Sequence, residues 1–259
     1  MAILGIKGTM AFPSIDNLVD LYKAELSDAG AFLFYGESGS GKTTLARTFP
    51  NPVFVDTNRG MKTLKEDTFR FNLEGIPNPF LNTLTILKSA LDKTGPFGAA
   101  GKYAKCETLV IDDWTSLIDD YLMPEAMVEG NRSMISEKAS YDEYGRIASR
   151  QTLLASIIKD LGKKYYIVST ALPEEEKDDN TGELQGKPKI TGKYRDKIMA
   201  DYDEVYYLEA QDTVTAQGKK TRYMLYAKPY RHFQAKTRQT TLTSLEDPTF
   251  EKIKAAYKK

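Results

Sequence analysis

Cysteine and histidine are nearly missing from this chain of 259 residues, which has one of each, Cys106 and His232. A single thiol excludes an intrachain disulfide, and the pair argues against a cysteine-based zinc site. A metal in such a chain would rest on carboxylates, the chemistry of magnesium. Long hydrophobic runs are also missing. No stretch approaches the roughly 20 apolar residues that span a bilayer. The N-terminal MAILGIKGTMAF lacks the basic start and long apolar stretch of a secretory leader. The expectation is a cytoplasmic protein with no membrane partner. Net charge is absent too, with 36 Lys and Arg against 36 Asp and Glu. It is unevenly spread: from Lys187 onward, 16 basic residues stand against 9 acidic ones, a balance of +7, so the preceding part carries −7. That basic end fits an acidic partner such as nucleic acid or a neighbouring subunit, and equally a solvated basic face.

What is present is an alternation of strands and helices. Hydrophobic residues make up 41% and charged residues 28%, ordinary for a globular protein, and the length suits one large α/β domain. Apolar runs at AFLFY (31–35), PVFVD (52–56), ETLVID (107–112) and YYIVST (165–170) predict strands. They are continuous and not alternating, the pattern of a parallel sheet buried on both faces. Helical spacing appears at 16–28, at 81–93 through Leu84, Leu87 and Leu91, and at 141–162 through Ile147, Leu154, Ile158 and Leu161. DEVYYLEA and TRYMLYA flank a turn near Gly218 and predict an antiparallel hairpin. Residues 172–197 are rich in charge, Gly and Pro and predict a long mobile loop. The fold class expected is α/β, a mainly parallel twisted sheet flanked by helices with an antiparallel C-terminal extension. Residues 1–29 form an N-terminal segment with a short helix, 30–245 the core, and 246–259 a C-terminal helix or tail.

The stretch Gly36-Glu37-Ser38-Gly39-Ser40-Gly41-Lys42-Thr43-Thr44 follows the first strand and fits the phosphate-loop pattern G-x-x-x-x-G-K-[ST]. Its glycines let several backbone N–H groups converge on a phosphate chain. ATP and magnesium are the expected cofactors: Lys42 would reach the β and γ phosphates, and the Thr43 hydroxyl would ligate magnesium. LVIDD (109–113) supplies the partner carboxylate, Asp112, at the end of a strand expected to lie beside the loop strand. Asp113 either orients the attacking water or caps the helix beginning at Trp114. Ser169 and Thr170 end the next strand, where a hydroxyl would sense the γ-phosphate.

With both motifs, the strand VFVD and the late motif AKTR (235–238), residues 30–245 resemble the RecA-like P-loop ATPases. The closest likeness is to small phage proteins that keep only the RecA core and act as recombinases or single-strand annealing proteins. The resemblance implies single-stranded DNA as a partner and a homo-oligomer, filament before ring, with ATP between subunits. A single-strand-binding protein is a further implied partner. It implies a DNA loop after the fourth strand, here with Lys187, Lys189, Lys193, Arg195 and Lys197, beside the repelling Glu174-Glu175-Glu176. A second, modest DNA loop lies between Trp114 and Tyr144, with Arg132 and Lys138. Lys236 and Arg238 match the spacing of a pair that reaches the neighbouring subunit's γ-phosphate, as an arginine finger does. The apolar segment 1–15 would link subunits or fold back on its own core. One departure stands out. The family's water-activating glutamate falls at Asn58, an amide that cannot take a proton. Either Asp113, Glu66, Asp67 or another acid substitutes, or hydrolysis is slow. Two alternatives remain: a ring-forming helicase or translocase core, and a nucleotide-gated phage interaction module without nucleic acid.

Overall fold

The structure, a computed structural model, describes residues 29–57, 68–73, 75–134, 136–178, 181–215 and 218–257. The helix expected at 16–28, the segment 1–15, Asn58, Glu66 and Asp67 lie outside the described residues.

The five parallel core strands are β1 (Gly30–Tyr35), β2 (Pro52–Asp56), β3 (Phe69–Asn72), β4 (Thr108–Asp112) and β5 (Tyr166–Ala171). Between them run α1 (Lys42–Arg47), α2 (Pro79–Leu91), α3 (Trp114–Ser116), a π-helical turn (Leu117–Leu122), α4 (Met123–Glu129) and α5 (Tyr141–Leu161). Then come the hairpin β6 (Pro173–Lys177) and β7 (Leu184–Pro188), and the short α6 (Ile198–Asp201). The long hairpin β8 (Glu204–Thr215) and β9 (Gly218–Tyr226) follows, then β10 (Lys236–Thr237), β11 (Ser244–Glu246) and α7 (Phe250–Ala255). Among the described residues the main sheet has the order β11-β9-β8-β1-β5-β4-β2-β3, and β10 also pairs with β8. β8 runs parallel to β1 and antiparallel to β9. This is a mainly parallel α/β P-loop arrangement with an antiparallel C-terminal extension.

The order corrects one expectation. β4 does not lie beside the loop strand β1, because β5 sits between them and pairs with both. Strand adjacency is a non-local property that motif order along the chain cannot fix, and here the insertion places Thr170 between the two motifs.

Alternation along β1 explains why its run is apolar throughout. Ala31, Leu33 and Tyr35 pack on the face covered by α2 and α5, with Leu84, Leu87, Ile147, Leu154 and Ile158. Phe32 and Phe34 pack on the other face with Leu45, Phe49, Phe54, Tyr206, Phe250 and Ile253. The C-terminal helix α7 is therefore seated in the core through Phe250 and Ile253. Its N-cap is Thr249, whose side chain accepts from the Lys252 N–H. Helix α5 begins with a capping box between Ser140 and Glu143, which satisfies two of the N–H groups a helix start leaves open.

Residues 172–197, expected as a mobile loop, instead carry the hairpin β6–β7 and a short 3-10 turn, Lys193–Asp196. The stabilising contacts come from far along the chain. Gly186 donates to the His232 carbonyl at 2.8 Å and accepts from the Gln234 N–H at 2.9 Å. Phe233 lies so close that a Cβ at Gly186 would stand 2.3 Å from its ring. Local composition carried no sign of this partner segment.

At the opposite end of the sheet from the phosphate loop, the fully buried Glu204 carboxylate accepts from the Arg238 N–H (2.9 Å), the Gln239 N–H (2.7 Å) and the Tyr206 hydroxyl (2.7 Å). It fixes the turn after β10. Glu204→Ala strands these donors away from water, so unfolding in urea should show a loss of about 3 kcal/mol.

Candidate nucleotide site

The phosphate loop leaves β1 at Gly36, whose N–H donates to the Ala171 carbonyl at 3.3 Å. Only glycine fits there, since a Cβ would stand 2.1 Å from the Leu208 carbonyl oxygen. Gly41, which precedes α1, has φ of 91°, a region open to glycine and costly for side chains. The loop thus depends on β1, β5 and β8 at once. Lys42 is buried, and its ammonium donates to the carbonyls of Gly36 (2.7 Å) and Glu37 (2.9 Å). Burial is the largest influence on it and pulls its pKa down; Asp112, Asp113 and Glu37 oppose this. The Ser40 hydroxyl is buried with no protein partner among the described residues.

Asp112 ties the loop to the two neighbouring strands. Its Oδ2 accepts from the Thr43 hydroxyl at 2.8 Å, and its Oδ1 accepts from the Thr170 hydroxyl. Burial drives its pKa up, with the two hydroxyls and Lys42 pulling it back and Asp56 pushing it further up. A buried carboxylate short of positive charge, beside the Thr43 hydroxyl, suits a magnesium ion. Among the described residues no group of three or more His, Cys, Asp or Glu could hold a metal. Thr43 and Asp112 would therefore share the ion with phosphate oxygens and water. The bound ion would supply charge neutralisation across the β and γ phosphates.

The remaining candidates separate clearly. Asp113 is buried, and its Oδ1 accepts from the Ser116 N–H at 2.6 Å, so it caps α3 while also lining the cleft. Thr170 faces the magnesium site. Ser169 points to the other face of β5, where its oxygen accepts from Tyr202 at 2.7 Å, and Tyr202 accepts from the Trp114 indole at 2.6 Å. The structure thus brings only Thr170 to the loop. Lys236 and Arg238 are not at their own chain's loop. They lie by Val205 and Asp203, toward the opposite end of the sheet, with Arg238 3.3 Å from Asp203. Burial lowers the Lys236 pKa, and the nearby Arg238 lowers it further. In the hairpin region, Lys187 pairs with Glu176 at 2.8 Å and Asp196 at 3.4 Å. Arg195 pairs with the same two acids, and Lys189 lies 3.8 Å from Asp119. Lys197 is exposed, and Lys193 begins the 3-10 turn. Arg132 pairs with Glu137 and Glu143, and Lys138 is exposed.

Sequence reasoning missed four side chains that complete the cleft of ≈ 890 Å³. Thr57 binds the Asp112–Asp113 backbone: its N–H donates to the Asp112 carbonyl at 2.9 Å, and its hydroxyl donates to the Asp113 carbonyl at 2.8 Å. It directly follows the acid ending β2, the one sequence cue available. Asp120 and Tyr121 are turned into the cleft by the π-helical turn, which has no visible pattern. Tyr223 comes from β9, and its ring would lie 3.1 Å from a Cβ at Gly41. A ring there would offer an apolar face to a bound nucleotide.

Asp112→Asn should cut the magnesium-dependent gain in ATP affinity about tenfold or more. Fluorescence of Trp114, the only tryptophan, reads the titration with and without magnesium. Tyr223→Ala should weaken ATP binding by about 1 kcal/mol while leaving inorganic tripolyphosphate binding unchanged, as measured by calorimetry.

A family model described as an AAA domain matches residues 30–239. None of the curated proteins compared matches the chain. Among solved structures, the crystal structure of the flagellar accessory protein FlaH from Methanocaldococcus jannaschii is 13% identical, covering 83% of this chain and 84% of that one, with a TM-score of 0.35. The family match runs from β1 to just past β10 and takes in the phosphate loop, Asp112 and Thr170, so the chain belongs to the AAA-domain family of P-loop proteins.

Proposed function

We propose that this chain is a magnesium-dependent ATPase that binds single-stranded DNA and acts in recombination or strand annealing as an oligomer, filament before ring. The observation that carries the reading is the path from Asp112 to Thr170 and on into the hairpin. Thr170 binds Asp112, Ala171 binds Gly36 of the loop, and Leu172 donates to the Thr115 hydroxyl at 3.0 Å before β6 begins. A nucleotide that draws Asp112 toward magnesium would loosen its hold on Thr170 and shift the base of the hairpin. Lys236 and Arg238, two nearby cations remote from their own loop, are suited to complete a neighbour's site. In the chemical step, Lys42 would release its carbonyl partners to hold phosphate oxygens, and Asp113 or Asp120 would orient the water. With an amide at position 58, turnover is expected to be slow.

One observation favours a second reading, a nucleotide-gated module that binds protein and not nucleic acid: Lys187, Lys189 and Arg195 are already matched by Glu176, Asp196 and Asp119. Fluorescence anisotropy of a labelled oligothymidine separates the two. DNA binding that requires ATP, weakens steeply with salt and disappears in Lys42→Ala supports the first. Absence of binding with and without ATP rejects it in favour of the second.

A further inference from the structure

A second cavity, of ≈ 600 Å³, lies well away from the nucleotide cleft. It opens beside Pro52 and Val53 at the start of β2, whereas the cleft lies at the end of that strand, where Asp56 pairs with Asp112. Four residues of strand separate the two ends, about 13 Å. Its volume falls within the range of small-molecule sites, roughly 300–1,000 Å³.

The cavity's chemistry is one-sided. Among the described residues, every charged residue lining it is basic, namely Arg47, Lys102 and Lys105. Two rings form a corner: Phe69 and Tyr103 have centroids 5.5 Å apart at 65°. Phe69 is 47% exposed although large and apolar, which leaves its ring free for contact. The Lys102 ammonium stands 5.6 Å from the Phe69 ring and 5.5 Å from the Tyr103 ring, so a positive charge is already held against the aromatic corner. The supporting turn is tightly built. The Tyr103 N–H donates to the Pro96 carbonyl at 2.7 Å, and a Cβ at Gly101 would stand 2.3 Å from that same oxygen. Tyr103 also packs edge-on against Phe71 at 5.0 Å.

A planar ring stacked in this corner, carrying an anionic group toward Lys102, meets both the rings and the charge of the lining. We propose that this cavity is a binding site for a small aromatic anion, a ring bearing a phosphate or carboxylate, separate from the ATP site. Arg47 ends the helix that Lys42 begins, so the two sites share one short helix.

The probe is anilinonaphthalene sulfonate, an aromatic anion whose fluorescence rises on binding, titrated against the full chain. Binding should be displaced by phenyl phosphate. It should weaken about tenfold or more in Lys102→Glu and in Phe69→Ala, and it should persist in Lys42→Ala. Both cavity substitutions are at exposed side chains, and circular dichroism confirms that each variant is folded. No binding, no displacement by phenyl phosphate, indifference to both cavity variants, or loss in Lys42→Ala would each overturn the proposal.

Discussion

The structure turns on one carboxylate held by two hydroxyls. Asp112 ends β4, yet it binds Thr43 of the loop after β1 and Thr170 at the end of β5. The loop after β1, the end of β4 and the end of β5 are thus joined by polar side chains at the tip of the sheet. The arrangement is costly for Asp112, which burial pushes toward its neutral form. A group held short of compensating charge is poised to respond when charge arrives. Magnesium and triphosphate would bring that charge to this spot, and the two threonines are what the carboxylate would partly release.

The consequences run outward along the chain. Thr170 is one residue from Ala171, which anchors Gly36, and two from Leu172, which lines the cleft and leads into β6. On the other side, Thr57 clasps the Asp112–Asp113 backbone from the end of β2. Trp114, one residue beyond Asp113, connects through Tyr202 to Ser169 on the far face of β5. Successive residues on β5 therefore face opposite ways: Thr170 toward the site, Ser169 into the core that supports it. The strand alternates, so only one of two adjacent hydroxyls can sense the nucleotide.

Much of this was legible in the sequence. Continuous apolar runs marked β1, β2, β4 and β5 nearly to the residue, because a strand buried on both faces has no other way to be written; β3, the short and mostly exposed edge strand FRFN, carries no such run and was missed. The spacing of Gly36, Gly41, Lys42 and Thr43 marked the loop, and LVIDD marked Asp112. What stayed hidden depended on distant partners. The place of β5 between β1 and β4 is set by packing across the whole sheet. The hairpin β6–β7 looked like a loop because its own residues are polar, and Phe233 and the backbone around it hold it from nearly fifty residues away. Tyr223 read as one more aromatic in a hairpin, and nothing local marks it as lying over Gly41. Lys187, Lys189 and Arg195 looked available for phosphates until their acidic partners appeared.

Asp112 stands between the phosphate loop and the β6–β7 hairpin, and Thr170 is the link through which the two would be coupled. Amide hydrogen exchange over residues 171–189, with and without magnesium and ATP, tests this coupling most directly. The account predicts a nucleotide-dependent change in protection there in the native chain, and its loss in Thr170→Val while ATP still binds. Unchanged exchange in the native chain at saturating ATP, or an undiminished response in Thr170→Val, would contradict it.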